Sequence, residues 1–376
     1  MTRLHDLYAR GGQSPWLDNL RRDYLHDGHL ATLVESGIRG VTSNPTIMAK
    51  AIESGNDYDA QFAELLADHS VEDAYWDLVV TDIRGALEVL RPVHESSGGE
   101  DGFVSIEVAP ALAHDTEATA RDARRFHELI DRSNLYVKIP GTAEGLPAVR
   151  TMIGEGHSIN ITLLFSVERY DEVIEAYLGG LEDRLAAGAT DLSGVRSVAS
   201  FFVSRVDTEV DRRLERLAGE ADGARAEALL AMRGTAAVAQ AREAYALFGS
   251  RFAGPRWEAL AARGANVQRP LWASTSTKNP AYPDLAYVDT LIGPDSVNTM
   301  PDDTIAAFLD HGTVARTVDA DPHAARAVLD RLGELGVDMA DVATTLEDEG
   351  VAAFSKSFDE LIQALSNKAN ELAAGR

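Results

Sequence analysis

The chain has 376 residues with 45% hydrophobic composition, enough for a large core in one big domain or two smaller ones. Its 60 acidic against 35 basic residues leave a formal net charge of −25, which disfavours nucleic acid and anionic membranes as partners and obliges any anionic substrate to find local basic residues. There is no cysteine, which excludes disulfides, thiolate catalysis and thiolate metal sites, and MTRLHDLYARGGQSPWLDNL at the start shows no secretory core, so a cytoplasmic setting is expected.

Eight short segments are apolar, rich in β-branched residues and of strand length. The first is QSPWLD, ending at Asp18, and the second GIRGVTSN, ending at Asn44. Residues 57–91 follow as two helices, the second VEDAYWDLVVTDIRGALEVL. The third strand is FVSIEV, with Glu107; a helix over 119–132 then places Ala123, Phe126, Leu129 and Ile130 on one face. LYVKIP is the fourth strand, holding Lys138 and stopped by Pro140 and Gly141. SINITLLF, the fifth, carries Asn160 and Thr162, and a helix over 168–187 succeeds it. VRSVASFF, with Ser200, is the sixth, followed by an alanine-rich helix over 224–248. RPLWAST, with Ser274, and DSVNTM, with Asn298, complete the set. Beyond residue 301 the chain reads as helix only. PDDTIAAFLDHG has Pro and acidic residues at its start and Gly at its end, and two more helical stretches reach the C-terminus. No apolar run approaches the roughly 18 residues of a membrane span.

Alternating strands and helices imply parallel strands joined by right-handed crossovers, and eight such units predict an α/β fold, a closed (β/α)8 TIM barrel. An open doubly wound sheet is the alternative, but no G-x-G-x-x-G follows the first strand. The expectation is one catalytic domain over residues 1–376. Its barrel spans roughly 14–300, and a helical extension over roughly 301–376 packs on it. No internal repeat or low-complexity linker interrupts it.

Barrel chemistry sits where strands end. The polar residues near those ends are Asp18, Thr42, Asn44, Glu107, Lys138, Asn160, Thr162, Ser200 and Ser274. Each has a bland reading. A strand lysine often snorkels outward, Glu107 is suited to a structural ion pair with Lys138, and Asn44 to a turn before Pro45. Together they suit carbon–carbon bond cleavage through a Schiff base. A poorly solvated lysine loses its proton more easily, and its free amine attacks a ketone to form an iminium, an electron sink. One carboxylate then removes a proton from a substrate hydroxyl, and a second acid–base group handles the water of the carbinolamine steps. Amides and hydroxyls hold the sugar hydroxyls in register. The ten His include no H-E-x-x-H, so no metal and no cofactor is implied. His157 and His311 read as structural or surface residues.

Two stretches carry a family resemblance. GVTSNPTIM (40–48) and LYVKIPGTAEGL (135–146), supported by NITLLFS (160–166), resemble the signatures of the transaldolases, class I aldolase-type barrel enzymes. The resemblance implies that Lys138 is the Schiff-base residue and Asp18 the acid–base group at the breaking bond. Glu107, with Thr162 and a bound water, would serve the carbinolamine steps. Asn44 and Asn160 would hold the dihydroxyacetone part, and Ser200 and Arg205 the phosphate end; Thr42, at the end of the second strand, is a further substrate-lining candidate. The resemblance further implies phosphorylated sugars as substrates. A dihydroxyacetone unit would pass from sedoheptulose 7-phosphate to glyceraldehyde 3-phosphate, giving erythrose 4-phosphate and fructose 6-phosphate in the pentose phosphate pathway.

The chain departs from the family in two places. SFFVSR (200–205) lacks the usual Pro and Gly, and STSTKNP (274–280) lacks the arginine many members use for phosphate. Lys278, with Ser274 beside it, is the expected replacement, without arginine's bidentate fork. Three rival readings are weighed: a fructose-6-phosphate aldolase-like lyase releasing free dihydroxyacetone, a non-covalent sugar-phosphate isomerase, and a non-catalytic phosphosugar-binding protein. The last predicts that Lys138 simply pairs with Glu107 and leaves Asp18 without a task.

Overall fold

The computed structural model describes residues 1–53 and 55–374. Its centre is the expected closed barrel of eight parallel strands in chain order. They are β1 (Gln13–Leu17), β2 (Gly40–Thr42), β3 (Phe103–Glu107), β4 (Leu135–Pro140), β5 (Ile159–Leu164), β6 (Ser197–Phe202), β7 (Gln268–Ala273) and β8 (Ser296–Met300). Nearly every strand residue is buried, because helices cover the outside while the inward side chains fill the interior. That double burial is why the strands read as apolar runs. The seam is closed by β1 against β8, paired from Gln13↔Ser296 to Leu17↔Met300.

Register assembles one polar layer at the C-terminal end. Glu107 pairs across to Lys138, and Lys138 to Asn160, so three polar residues from adjacent strands stand side by side. Between β5 and β6 the register slips after Ile161, with Leu163 at φ 61°, so a bulge immediately follows Thr162. Below this layer the interior is aromatic. Phe103 stacks on Tyr136 at 4.1 Å, and Trp16 lies 6.1 Å from Tyr136. Gly40 makes room for that indole, since a Cβ there would sit 2.4 Å from Trp16.

The helices expected over 119–132 and 168–187 form as Thr116–Ile130 and Val167–Ala186, and the second helix of 57–91 extends as Val71–Ser96. The region 224–248 is a correction: it divides into Gly223–Leu230 and Ala236–Arg251. Gly234 between them adopts φ 70°, and a Cβ there would meet the Tyr282 ring at 2.7 Å, so packing breaks the helix. Several helices go beyond the sequence reading, two of them near the site-bearing strands β1 and β2. Arg3–Gly11 begins at a Thr2/His5 capping box, and Pro45–Glu53 starts directly after Asn44.

Past β8 come three helices, Asp302–His311, Pro322–Leu335 and Met339–Ala374. The last, 36 residues long, crosses the C-terminal mouth of the barrel. Phe354, Leu361 and Leu365 are buried beneath it, each contributing about 2 kcal/mol of apolar burial. Phe358 meets Tyr75 and Trp76 at 5.5 and 5.9 Å, and Thr46 Oγ1 donates to Ser357 Oγ at 3.0 Å. Among the described residues no helix is long and apolar enough to cross a membrane.

Candidate active site

Under that helix, at the C-terminal mouth, lies a cavity of about 120 Å³. Asp18, Thr42, Asn44, Lys138 and Thr162 line one part of it, and Ser200, Arg205, Ser274 and Lys278 are among those lining the other. Glu107 and Asn160, also singled out from the sequence, stand directly behind this lining and bond to it.

Lys138 is buried, 5% exposed, in the middle of the polar layer. Its Nζ donates to the Ser43 carbonyl at 3.0 Å and contacts Glu107 Oε2 at 3.0 Å. Thus the lysine does not snorkel outward, and the ion pair expected by the bland reading is present. Burial pushes the Glu107 pKa up, and the neighbouring Lys138 charge offsets this only in part. Asp18 continues β1, its backbone N–H donating to the Met300 carbonyl. Thr42 Oγ1 donates to Asp18 Oδ1 at 2.8 Å and lies 2.7 Å from Thr299 Oγ1. Burial also raises the Asp18 pKa, outweighing the Thr42 hydrogen bond and the Lys138 charge. Two carboxyl groups with raised pKa therefore flank one buried amine, a pattern suited to proton transfer at neutral pH.

The amide and hydroxyl residues form a chain across the barrel. Ser200 Oγ donates to Asn160 Oδ1 at 2.7 Å, and Asn160 Nδ2 donates to Ser105 Oγ at 3.1 Å. Thr162 Oγ1 is buried with no hydrogen-bond partner among the described residues. Asn44 Oδ1 accepts the Ile47 N–H at 3.0 Å, so it caps the helix Pro45–Glu53 while lining the cavity. Ser200, expected at the phosphate end, instead bonds to Asn160 inside the amide–hydroxyl chain. Ser274, at φ 56°, is tied through its Oγ to Ser204 Oγ at 2.9 Å.

The far side of the cavity is cationic. The Arg205 guanidinium lies over Phe202 and carries no ion pair among the described residues; burial lowers its pKa. Lys278 Nζ donates to Ser276 Oγ at 2.6 Å, and its pKa is lowered by partial burial and by the Arg205 charge. So the two cations come together as expected, and with no arginine in STSTKNP, Arg205 is the only guanidinium lining the cavity among the described residues.

Several lining residues were not picked from the sequence: Thr299, Ser276, Phe202 and Phe354. Thr299 had a usable signal. On β8, Asn298 bonds outward to the Tyr287 carbonyl, so alternation turns Thr299 inward. Phe354 had none, since its place depends on how a distant helix docks. His157 stacks on His127 at 4.4 Å, and His311 pairs with Asp284 and Asp310 on the surface. Among the described residues no three His, Cys, Asp or Glu are grouped to hold a metal.

A profile of the family described as transaldolase/fructose-6-phosphate aldolase matches residues 15–365. The chain belongs to the transaldolase/fructose-6-phosphate aldolase family. Among its relatives, a transaldolase of Thermobifida fusca is 50% identical over 366 residues, 96% of each chain. One of Acidothermus cellulolyticus is 50% identical over 361 residues, 95% of each. One of Mycobacterium tuberculosis is 50% identical over 359 residues, 94% of each. The family match takes in all of the barrel but the first two residues of β1, and most of the C-terminal helix.

Proposed function

We propose that this transaldolase-family enzyme moves a dihydroxyacetone unit from sedoheptulose 7-phosphate to glyceraldehyde 3-phosphate through a Schiff base on Lys138. The products are erythrose 4-phosphate and fructose 6-phosphate, in the non-oxidative pentose phosphate pathway of the cytoplasm. The observation that carries the reading is the buried Lys138 amine in contact with Glu107, in the cavity that Asp18 also lines.

Lys138 must lose a proton to attack. Glu107, 3.0 Å away and raised by burial, is the acceptor at hand. The amine adds to the ketone carbon, and the carbinolamine loses water as Glu107 returns the proton, with the Thr162 hydroxyl beside it. Asp18 then takes the proton of the hydroxyl next to the bond that breaks. Two electrons flow into the iminium, the aldose leaves, and an enamine remains on Lys138. Attack of the enamine on the acceptor aldehyde reverses these steps, with Asp18 returning the proton. Asn44, Asn160, Thr42 and Ser200 hold the dihydroxyacetone hydroxyls. Arg205, with Lys278 and Ser274, faces the phosphate.

Borohydride trapping tests this. Incubation with fructose 6-phosphate and reduction should add a dihydroxyacetone-derived mass to the peptide bearing Lys138. Lys138→Arg should fold, give no adduct and lose turnover, because a guanidinium does not form the iminium. No adduct on folded wild-type protein would return the Lys138–Glu107 contact to a structural ion pair and favour the isomerase or binding reading. Turnover of fructose 6-phosphate without an added acceptor aldehyde would instead favour the aldolase half of the family.

A further inference from the structure

Arg205 is held in an unusual way for a half-buried guanidinium. Such a group is normally compensated by a carboxylate at hydrogen-bond distance. Here Asp18, Glu107 and Glu349 act on it only at longer range. What touches it is aromatic. Its Cζ lies 5.0 Å from the Phe202 ring centroid and 5.9 Å from that of Phe354. Phe202 ends β6, whereas Phe354, 5% exposed, comes from the C-terminal helix. Gly350, one turn earlier on that helix, brings the backbone in as well. A Cβ there would lie 3.6 Å from Arg205 Nη1 and 3.0 Å from Leu163 Cδ2. The guanidinium is therefore bounded by a strand ring, a helix ring and helix backbone, and it lines the cavity beside Lys278.

A carboxylate in Phe354's place would neutralise Arg205 and compete with any anion for its fork. A ring attracts the cation through its quadrupole and leaves every N–H free. We propose that Phe354 is a positioning residue: by clasping Arg205 with Phe202, it makes the docked C-terminal helix set the affinity of the site for the phosphate of the sugar. This rests on the reading of Arg205 as the phosphate-facing cation. The helix is then part of the binding site, and its seat is coupled to phosphate recognition through one aromatic contact.

The test compares Phe354→Leu, Phe354→Tyr and Arg205→Gln with wild type. Leucine removes the ring; tyrosine keeps it. For Phe354→Leu, KM for fructose 6-phosphate and the inhibition constant of inorganic phosphate should both rise about fivefold, the size of one lost cation–π contact, with kcat within about twofold. Phe354→Tyr should stay close to wild type. Borohydride trapping of free dihydroxyacetone, which has no phosphate, should give the wild-type yield in both. Should Phe354→Leu fail to fold, Phe354→Met, of similar volume and without a ring, carries the same comparison. Unchanged phosphate inhibition in the ringless variant, with weakened inhibition in Arg205→Gln, would overturn the role of Phe354 alone. So would equal losses with phosphorylated and free substrates, which mark a merely structural effect. Unchanged phosphate inhibition in Arg205→Gln would overturn the phosphate reading of Arg205 itself.

Discussion

At the scale of single residues, the site holds two carboxyl groups that water would ionise more readily. Asp18 has an ordinary pKa of 3.8 and is raised by burial. A carboxyl raised on folding stabilises the fold fully below its ordinary value and loses that contribution as pH rises through the folded value. Above that window the ionised Asp18 is a cost carried for function. Asp18→Asn keeps an oxygen to accept from Thr42 and removes the charge. It should raise stability at pH 7 by about 1 kcal/mol in urea unfolding, while cleavage falls at least about 100-fold. The Lys138 adduct should still form. A destabilised Asp18→Asn would mean that the Asp18 charge is compensated better than its neighbours suggest. Position at strand ends made Asp18, Glu107 and Lys138 legible in the sequence. The contact of Glu107 with Lys138 was legible only as a structural alternative, because the register that brings them together is set between strands about 30 residues apart.

At the scale of elements, all eight strands were legible because parallel strands sealed by helices are uniformly apolar and short. Helices were legible in type, less so in extent. The break at 231–235 was hidden in an alanine-rich run, and its cause, Gly234 against Tyr282, lies outside local sequence. The same break leaves helix Ala236–Arg251 without a cap from Thr235, and a distant residue supplies it. Asp207 Oδ1 accepts the Ala237 N–H at 2.8 Å and its Oδ2 accepts the Tyr287 hydroxyl at 2.8 Å. Burial, only partly offset by these bonds, pushes the Asp207 pKa from 3.8 up to about 6. Its contribution is full below 3.8 and lost as pH rises through about 6. Asp207→Asn keeps one acceptor oxygen for the Ala237 N–H, and its amide N–H can donate to the Tyr287 hydroxyl instead of accepting from it. From pH 4 to 8, wild type should lose on the order of 2–3 kcal/mol relative to Asp207→Asn. Parallel stability curves for the two proteins would show that Asp207 titrates normally.

At the scale of the whole molecule, the two mouths of the barrel are charged on opposite principles. The C-terminal mouth pairs Lys138 with Glu107, leaves Arg205 and Lys278 without an ion pair among the described residues, and keeps its carboxyls raised. At the N-terminal mouth, fully buried Asp101 accepts from Ser14 Oγ, Trp16 Nε1, Arg39 Nε and Arg269 Nη2, tying β1, β7 and the loop before β3 together. Burial works to raise Asp101, but Arg269 and Arg39 outweigh it, and its pKa is lowered. A lowered carboxyl contributes above its ordinary 3.8 and loses that contribution as pH falls through the folded value. The bottom of the barrel therefore limits stability on the acid side, and the top limits it as pH rises. Such a division fits a barrel that keeps stability at one face and chemistry at the other. Asp101→Asn should leave two half-buried arginines undercompensated and cost about 3 kcal/mol at pH 7, read from urea unfolding. Its stability should vary less than wild type on acidification, because the titrating group is gone. Activity per folded molecule should be unchanged, since Asp101 lies below the Trp16 layer, away from Lys138. A loss of kcat in the folded variant, matched by a lower yield of the Lys138 adduct, would show instead that the two mouths are coupled through the aromatic layer between them.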